Sequence, residues 1–503
     1  MLLWRRHFAF NTNTMKRIIF ILIHLTYSFT TGFTQVIPQD PALIRIRDKV
    51  NQMISDSIIP SMAIAVIKDG KIIWEEAIGY ADVETKRKAT LQSVYPLGSV
   101  SKSITATGMM HMINAGEIGL FENIQKLIFP VQLKDINGAS PDIKLWQLLS
   151  QNGGLNHGYG IFNKETLPKT PDQIRQFYEY STIVAFTPGG FYHYSNHSFD
   201  VAELVIEKKS GESFQDYMDK NIFYPLSMKN SFAYPQLSDT VPMVSTYSAN
   251  MKKLPSTDII YPAGGSGFWS SIQDMSQYAM FHLGVIKNAE IISTGNLKLM
   301  HEFRQGPADM FGIGWFNSDG NLYSNGNVSG GNAVVSIDEK NNLAVICLLN
   351  RTSNDGMADQ VAGDINDVFI KKNDDSYKSY RRIYATPYTM RFDLLGKWMG
   401  IIKDPVSQKE VPINLVFDDK GEILFNTGQQ FVPLQYPVYN LMQELKGKFK
   451  ITLPGIFDET LECSMTLSRN KDQFTGYLFY PRTMEKSFYT IPLFVKIEKT
   501  KSN

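Results

Sequence analysis

One stretch constrains this 503-residue chain more than any other, Pro96-Leu97-Gly98-Ser99-Val100-Ser101-Lys102-Ser103-Ile104-Thr105-Ala106. It reads as a turn running into a helix, with Gly98 freeing the backbone and Ser99 at or near the first helical positions. The segment continues to about Asn114 as a largely apolar helix, the pattern of a helix buried between layers. Ser99 and Lys102 are three apart and so share a helix face, close enough to touch. A serine hydroxyl is a poor nucleophile near neutral pH. It needs a base within hydrogen-bond reach, and a desolvated lysine with a lowered pKa meets that need. The helix N-terminus adds backbone N–H groups and a positive dipole end where an acyl oxyanion can develop.

Ser-x-x-Lys alone is a weak signal, because most such pairs are ordinary helix surface. A second stretch strengthens it: Pro188-Gly189-Gly190-Phe191-Tyr192-His193-Tyr194-Ser195-Asn196 is a turn followed by an aromatic loop with a Tyr-x-Asn. A tyrosine can relay a proton, and an asparagine amide can bond both the lysine and a substrate carbonyl. In these motifs the chain resembles the serine β-lactamase and penicillin-binding-protein superfamily, in the class C β-lactamase-like branch that also holds D-amino-acid peptidases and esterases. The likeness runs from about Leu43 to Asn350 and takes in Gly79-Tyr80-Ala81-Asp82, Tyr224-Pro225-Leu226-Ser227-Met228, Pro262-Ala263-Gly264-Gly265 and Gly312-Ile313-Gly314-Trp315. It implies that Ser99 is the acylated nucleophile, Lys102 its base, Tyr194 the proton relay and Asn196 a substrate and lysine contact.

The chain departs from the family pattern twice. Gln151-Asn152-Gly153 stand where relatives carry His-Thr-Ser, which concerns local shape more than chemistry. Where relatives carry Lys-Thr-Gly or His-x-Gly, this chain has Ser324-Asn325-Gly326, so the usual cation is missing. The resemblance makes Ser324, Asn325, Gly326 and Asn327 substrate-binding positions. The backbone N–H groups of Ser99 and Asn327 could still form an oxyanion hole, since that contact needs only strand geometry. Without the cation, a carboxylate-bearing substrate is the less expected one. The run from Gly326 to Gly331 is not a nucleotide loop, because it precedes a strand and lacks a phosphate-binding lysine. His157, His193 and His197 fall near the expected cleft and read as hydrogen-bonding residues.

A net charge of +1 offers no broad attraction for nucleic acid or acidic membrane, and neither is expected as a partner. Cys347 and Cys463 lie far apart and without histidines at ligand spacing. They read as buried hydrophobes, with no disulfide, metal or cofactor expected. The expected partner is a small-molecule or peptide substrate; the oligomeric state stays open.

The length suits more than one domain. Residues 1–35 read as a signal peptide, with Met15 an alternative start. Met15-Lys16-Arg17 leads a short apolar run from Ile18 to Leu25 and a small, polar exit at Thr30-Thr31-Gly32. Export to the periplasm or medium is expected, with an uncleaved N-terminal anchor as the alternative and no integral membrane domain once the leader is removed. Residues 36–370 then form the hydrolase-like domain: an α+β fold whose antiparallel sheet is flanked by helices, with a mainly helical inserted subdomain. Helical spacing covers 41–54, 201–210, 214–223, 271–283 and 361–370, and Lys68-Asp69-Gly70-Lys71 signals a hairpin. Residues 371–391 are polar and read as a linker. Short alternating runs over 392–499 predict a small all-β barrel or sandwich, whose opening Leu395-Gly396-Lys397-Trp398-Met399-Gly400 resembles lipocalin-like domains. The expected function is a serine hydrolase working through an acyl-enzyme on an amide, D-amino-acid peptide or ester. The alternative is a catalytically weak or inactive binding protein on the same fold.

Overall fold

The hairpin signal sets the first register. Asp69 and Gly70 both have positive φ, at 50° and 74°, the conformation of the two-residue turns that match strand twist. They join β1 (Ser61–Lys68) to β2 (Lys71–Asp82), with Lys68 opposite Lys71. In this computed structural model, residues 35–370 and 387–500 are described, apart from 164, 191, 237–239, 256–258, 304, 306–310, 319–320, 354, 429–430, 441–442 and 485–486. The expected signal peptide, except residue 35, and most of the expected linker lie outside the described residues.

Along β1 the side chains alternate between two cores. Met62, Ile64 and Val66 pack with Leu43 and Val50 of α1 (Pro41–Ser55) and with a helix near the end of this region, Met357–Phe369. Ala63, Ala65 and Ile67 face the larger core, which holds Ile104, Ala106 and Met109 of α2 (Ser101–Asn114). Both faces are covered, which is why β1 reads as a continuous apolar run. After the two-residue β3 (Arg87–Lys88), the chain forms β4 (Val94–Pro96) and crosses to α2. The inserted region contributes α3 (Ile124–Leu127), α4 (Leu145–Leu149), β5 (Gly160–Phe162), α5 (Pro171–Ser181), α6 (Asn196–Ser210) and α7 (Phe214–Met218). Helix α6 starts earlier than its apolar spacing suggests, because the Ser195 side chain caps it by accepting from the Ser198 N–H. The expected single helix over 214–223 is instead α7 followed by a π-helical turn, Asp219–Phe223.

Three short strands follow: β6 (Ser231–Phe232), β7 (Ile259–Tyr261) and β8 (Trp269–Ser271), the last leading into α8 (Ile272–His282) and then α9 (Thr294–Glu302). The main sheet is completed by β9 (Phe316–Ser318), β10 (Asn321–Val328), β11 (Gly331–Asp338) and β12 (Leu343–Leu349), and α10 (Met357–Phe369) closes its outer face. The order is β3-β2-β1-β12-β11-β10-β9, with antiparallel pairing throughout.

The tail folds into β13 (Gly396–Lys403), β14 (Glu410–Phe417), β15 (Ile423–Asn426), β16 (Val432–Pro433) and β17 (Gln435–Tyr439). Four longer strands follow, β18 (Glu444–Leu453), β19 (Phe457–Asn470), β20 (Gln473–Met484) and β21 (Ser487–Lys499). They run in the order β16-β15-β14-β13-β21-β20-β19-β18-β17, and β16 comes back against β18 to make a nearly closed barrel. Trp398, Phe417, Phe425, Phe449 and Phe474 fill it. The barrel is joined to the first region by more than sequence. The start of β21 pairs with β5, Phe488 opposite Ile161, and β5 pairs in turn with β7, so one sheet crosses from the barrel into the inserted region.

One contact ties the main sheet to the turn before α2. A Cβ on Gly326 in β10 would press into the Leu97 carbonyl oxygen and come within 2.6 Å of the Ser99 nitrogen. Only glycine lets the strand approach that turn so closely. Gly326→Ala is therefore expected to destabilise the protein by about 1–3 kcal/mol, read as a lower urea midpoint. Gly363→Ala on α10, whose added methyl meets no neighbour, is expected to be neutral or to stabilise by up to about 1 kcal/mol.

Candidate active site

Ser99 sits in a single 3₁₀ turn, Gly98–Val100, that feeds directly into α2. Gly98 has φ 54°, the left-handed backbone this turn requires. One turn along, the Lys102 side chain is almost wholly shielded from solvent, at 1 % exposure. Its Nζ lies 3.0 Å from Ser99 Oγ, 2.7 Å from Asn196 Oδ1 and 2.6 Å from the Gly265 carbonyl oxygen. Burial pulls the ammonium pKa down to about 7, while the nearby Asp200 charge works the other way. At neutral pH about half of the amine is then unprotonated, against roughly one part in three thousand for a solvated lysine. Nζ donates to Asn196, to Gly265 and to Ser99 Oγ. Once the amine is neutral it keeps a lone pair, and of its three partners only the Ser99 hydroxyl can donate to it.

Tyr194 reaches the same point from a distant loop. Its hydroxyl is hydrogen-bonded to the Ser99 side chain, and burial pushes its pKa up, so the group is a phenol rather than a phenolate. Lys102 Nζ lies 4.7 Å from the centre of its ring. Gln151 fixes the loop on both sides of this tyrosine. Its carbonyl accepts from the His193 N–H at 2.9 Å and its side-chain oxygen from the Ser195 N–H at 2.8 Å. The Phe316 ring lies parallel to the Tyr194 ring and offset from it, with centroids 6.3 Å apart. Asn196 follows at the first position of α6. Ser99, Lys102, Tyr194 and Asn196 are thus brought together, Lys102 and Asn196 from positions 94 residues apart.

Other groups in the arrangement carry no obvious motif. Asp200 and Glu203 lie on α6, and Asp200 Oδ1 accepts from the Gly265 N–H at 3.0 Å while Glu203 Oε2 accepts from the Gly264 N–H at 2.6 Å. Together they hold the turn whose carbonyl receives Lys102. Burial raises the pKa of both carboxyls, and Glu207 raises that of Glu203 further. His197 Nδ1 lies 3.1 Å from Asp200 Oδ2. The Gly264-Gly265 pair was the visible signal, but its partners on α6 become apparent only once the helix is docked.

The third motif, the Ser324-Asn325-Gly326 stretch that follows Ser99-x-x-Lys102 and Tyr194-x-Asn196, divides by strand alternation. Ser324 is buried at 5 % exposure and lines neither cavity of the cleft. Asn325 and Asn327 point to the other side and line a cavity of about 1230 Å³ with Ser99, Tyr194 and Asn196. The Asn325 amide donates to Asp359 at 2.8 Å and the Asn327 amide to the Ser353 carbonyl at 2.8 Å. Gly326 acts through its backbone, as described above.

The barrel supplies a contribution that the sequence does not signal. His193 Nδ1 pairs with Glu444 Oε1 at 2.7 Å, and Tyr477 accepts from the His157 N–H at 3.0 Å. Burial works against the Glu444 charge, but His193 and Lys446 hold its pKa down at about 2. A second cavity, of about 690 Å³, lies between the two units and shares His157, Tyr194 and Asn325 with the first.

The beta-lactamase family model matches residues 46–368. The chain belongs to the beta-lactamase family. It is 23% identical to Protein flp of Staphylococcus aureus (strain MW2) over 313 residues, 59% of this chain and 60% of that protein. It is 25% identical over 262 residues to the D-aminopeptidase of Brucella anthropi, 51% of this chain and 48% of that one. The chain therefore spans about 60% or less of the length of these curated relatives. Among solved structures, an octameric penicillin-binding protein homologue from Pyrococcus abyssi superposes with TM-score 0.55 at 18% identity, over 90% of this chain and all of that one. EstCE1, a hydrolase with promiscuous acyltransferase activity, superposes with TM-score 0.55 at 21% identity, over 64% of this chain and 98% of its own. These likenesses establish a beta-lactamase-type serine hydrolase fold, and the structure shows the all-β unit that follows it.

The Gln151 clamp gives a direct test of how Tyr194 is held. Gln151→Ala leaves the buried Ser195 N–H without its acceptor and is expected to cost about 1–3 kcal/mol of stability, measured by urea unfolding. A loss below about 0.5 kcal/mol, the scale of an ordinary surface change, would contradict the clamp.

Proposed function

We propose that this protein is a serine hydrolase that passes through a covalent acyl-enzyme on Ser99, acting on an ester, amide or D-amino-acid peptide. The observation that carries this reading is the desolvated Lys102 amine 3.0 Å from Ser99 Oγ. Ser99 Oγ attacks the substrate carbonyl carbon as its proton passes to Lys102. The oxyanion forms beside the backbone nitrogens of Ser99 and Asn327, which the close packing of Gly98 and Gly326 brings to one seam. Tyr194, bonded to Ser99, hands a proton to the departing oxygen or nitrogen as the carbonyl bond to it breaks, and takes in its place the proton that Lys102 received from Ser99. Water then adds to the acyl-enzyme carbonyl, its proton returning through the same groups, and the acid is released. Asn196 binds Lys102 and presents its amide to the substrate. The names of two relatives, a D-aminopeptidase and a hydrolase with acyltransferase activity, support the substrate classes named here.

Incubation with a fluorophosphonate followed by intact mass is expected to add one phosphonyl group to the wild type and none to Ser99→Ala. Equal labelling of both, or none of either, would contradict the role of Ser99. Lys102→Ala is expected to lower kcat/KM for a nitrophenyl ester by about 10²–10⁴.

The pH profile follows from the lysine. The amine accepts a proton only when neutral, so kcat/KM should fall as pH is lowered through about 7. Asp200 opposes the downward shift, so Asp200→Asn is expected to move this acid limb to lower pH. An unmoved limb, or one that moves upward, would contradict its assignment to Lys102.

A further inference from the structure

The second cavity has a character that the loss of the third-motif cation makes informative. Its roof is the outer face of the barrel, where alternate residues of β18 turn away from the barrel core. Leu445 and Phe449 point inward to that core, whereas Glu444, Lys446 and Lys448 line the cavity. Cross-strand pairing extends each lysine into a row: Lys446 is opposite Thr466, which is opposite Tyr477, and Lys448 is opposite Ser464, which is opposite Phe479. The floor is Tyr194, Phe316, His157 and Asn325.

The charges do not cancel in a way that suits a cationic ligand. Glu444 is committed on both oxygens, to His193 Nδ1 at 2.7 Å, to the Asn440 amide at 2.8 Å and to Lys446 Nζ at 2.9 Å. It is 3 % exposed and has no free edge to offer an amine. Lys446 is only partly buried, and Glu444 takes one of its three N–H donors. Lys448 pairs with the exposed Glu462 at 3.5 Å, at the outer rim. Burial pushes the pKa of His157 down, and the charges of Lys102 and Lys446 are among those that lower it further. Its Nδ1 is buried with no partner among the described residues. The walls are otherwise mostly aromatic, so the cavity combines an apolar body with a cationic end.

We propose that this cavity is a subsite for the departing half of the substrate, and that Lys446 from the barrel is the counter-ion for a carboxylate carried on it. Lys446 then takes over, from another domain, the task that the absent cation at Ser324 leaves undone. The position fits the chemistry, since Tyr194, the proton donor to the leaving group, is shared by the two cavities. The acyl half occupies the larger cavity beside Ser99. The inference rests on the reading of Ser99 as the acyl acceptor and names the substrate class for that reaction: aryl or alkyl esters and amides whose leaving group is an acid. It reverses the expectation, drawn from the third motif alone, that acidic substrates are disfavoured.

Two measurements test it. The first compares kcat/KM for phenyl hexanoate and for 3-hydroxybenzoate hexanoyl ester, which share an acyl group and leave with phenols of similar acidity. The wild type is expected to favour the carboxylate ester by about tenfold or more, the scale of one charge-assisted hydrogen bond. In Lys446→Met that ratio is expected to collapse toward one, and in Lys446→Arg to recover in part. A ratio near one in the wild type, or one that survives in Lys446→Met, would overturn the proposal. The second measurement needs no turnover. Binding of 3-hydroxybenzoate to Ser99→Ala, followed by calorimetry, is expected to weaken at least tenfold when Lys446→Met is added. Equal binding by both proteins, or none by either, would overturn the subsite. Lys446-dependent binding with no hydrolysis of either ester would leave the subsite standing and overturn the hydrolase reading instead.

Discussion

A primary amine taken out of water beside a serine hydroxyl is the constraint around which this molecule is arranged. Moving the Lys102 pKa from 10.5 to about 7 corresponds to a penalty on the charged form of about 5 kcal/mol at 1.36 kcal/mol per unit. Such a cost is tolerable only where the neutral amine is well satisfied. Asn196 and Gly265 accept from it, and Ser99 Oγ lies 3.0 Å away, where its hydroxyl can donate to the neutral amine. Helix α2 has to be buried on both sides to exclude water. That requirement explains the sheet on one side of it and the inserted helices on the other.

Each partner of the amine is held by a second layer with its own logic. Asn196 is fixed because Ser195 caps α6, and Tyr194 because Gln151 grips the residues before and after it. The Gly265 carbonyl is aimed by Asp200 and Glu203, whose carboxylates accept from the Gly264-Gly265 backbone. Strand β10 closes the fourth side at Gly326, where any larger residue would strike the nucleophile's own turn. The barrel adds a roof, anchored by β21 pairing with β5 and by the His193–Glu444 hydrogen bond. A unit that looks like an appendage in the sequence is therefore part of the wall of the cleft.

The legible part of this arrangement was what local pattern can carry. Ser99 and Lys102 are one helical turn apart, the Asp69-Gly70 turn dictates its own hairpin, and alternating residues announce the strands of the barrel. Tyr194 and Asn196 were found through resemblance, since nothing in their own spacing points to Lys102. What escaped was set by docking between distant elements. Asp200 and Glu203 look like ordinary acidic residues on a helix until the Gly264-Gly265 turn is laid against them. Glu444 and Lys446 look like surface charges on a barrel strand until the two units meet. Ser324 was expected at the substrate because it holds the place of a cation in relatives. With a short side chain on the buried face of β10 it lines neither cavity, whereas Asn325 and Asn327, expected alongside it, line the larger one.

The titration of Lys102 tests the central claim most directly. With lysines carrying ¹³C at Cε, an NMR titration of the wild type should show one resonance with a midpoint near pH 7, and that resonance should be missing from Lys102→Ala. If every lysine resonance instead titrates near the ordinary value of about 10.5, the amine is solvated and charged at neutral pH and cannot serve Ser99 as its base.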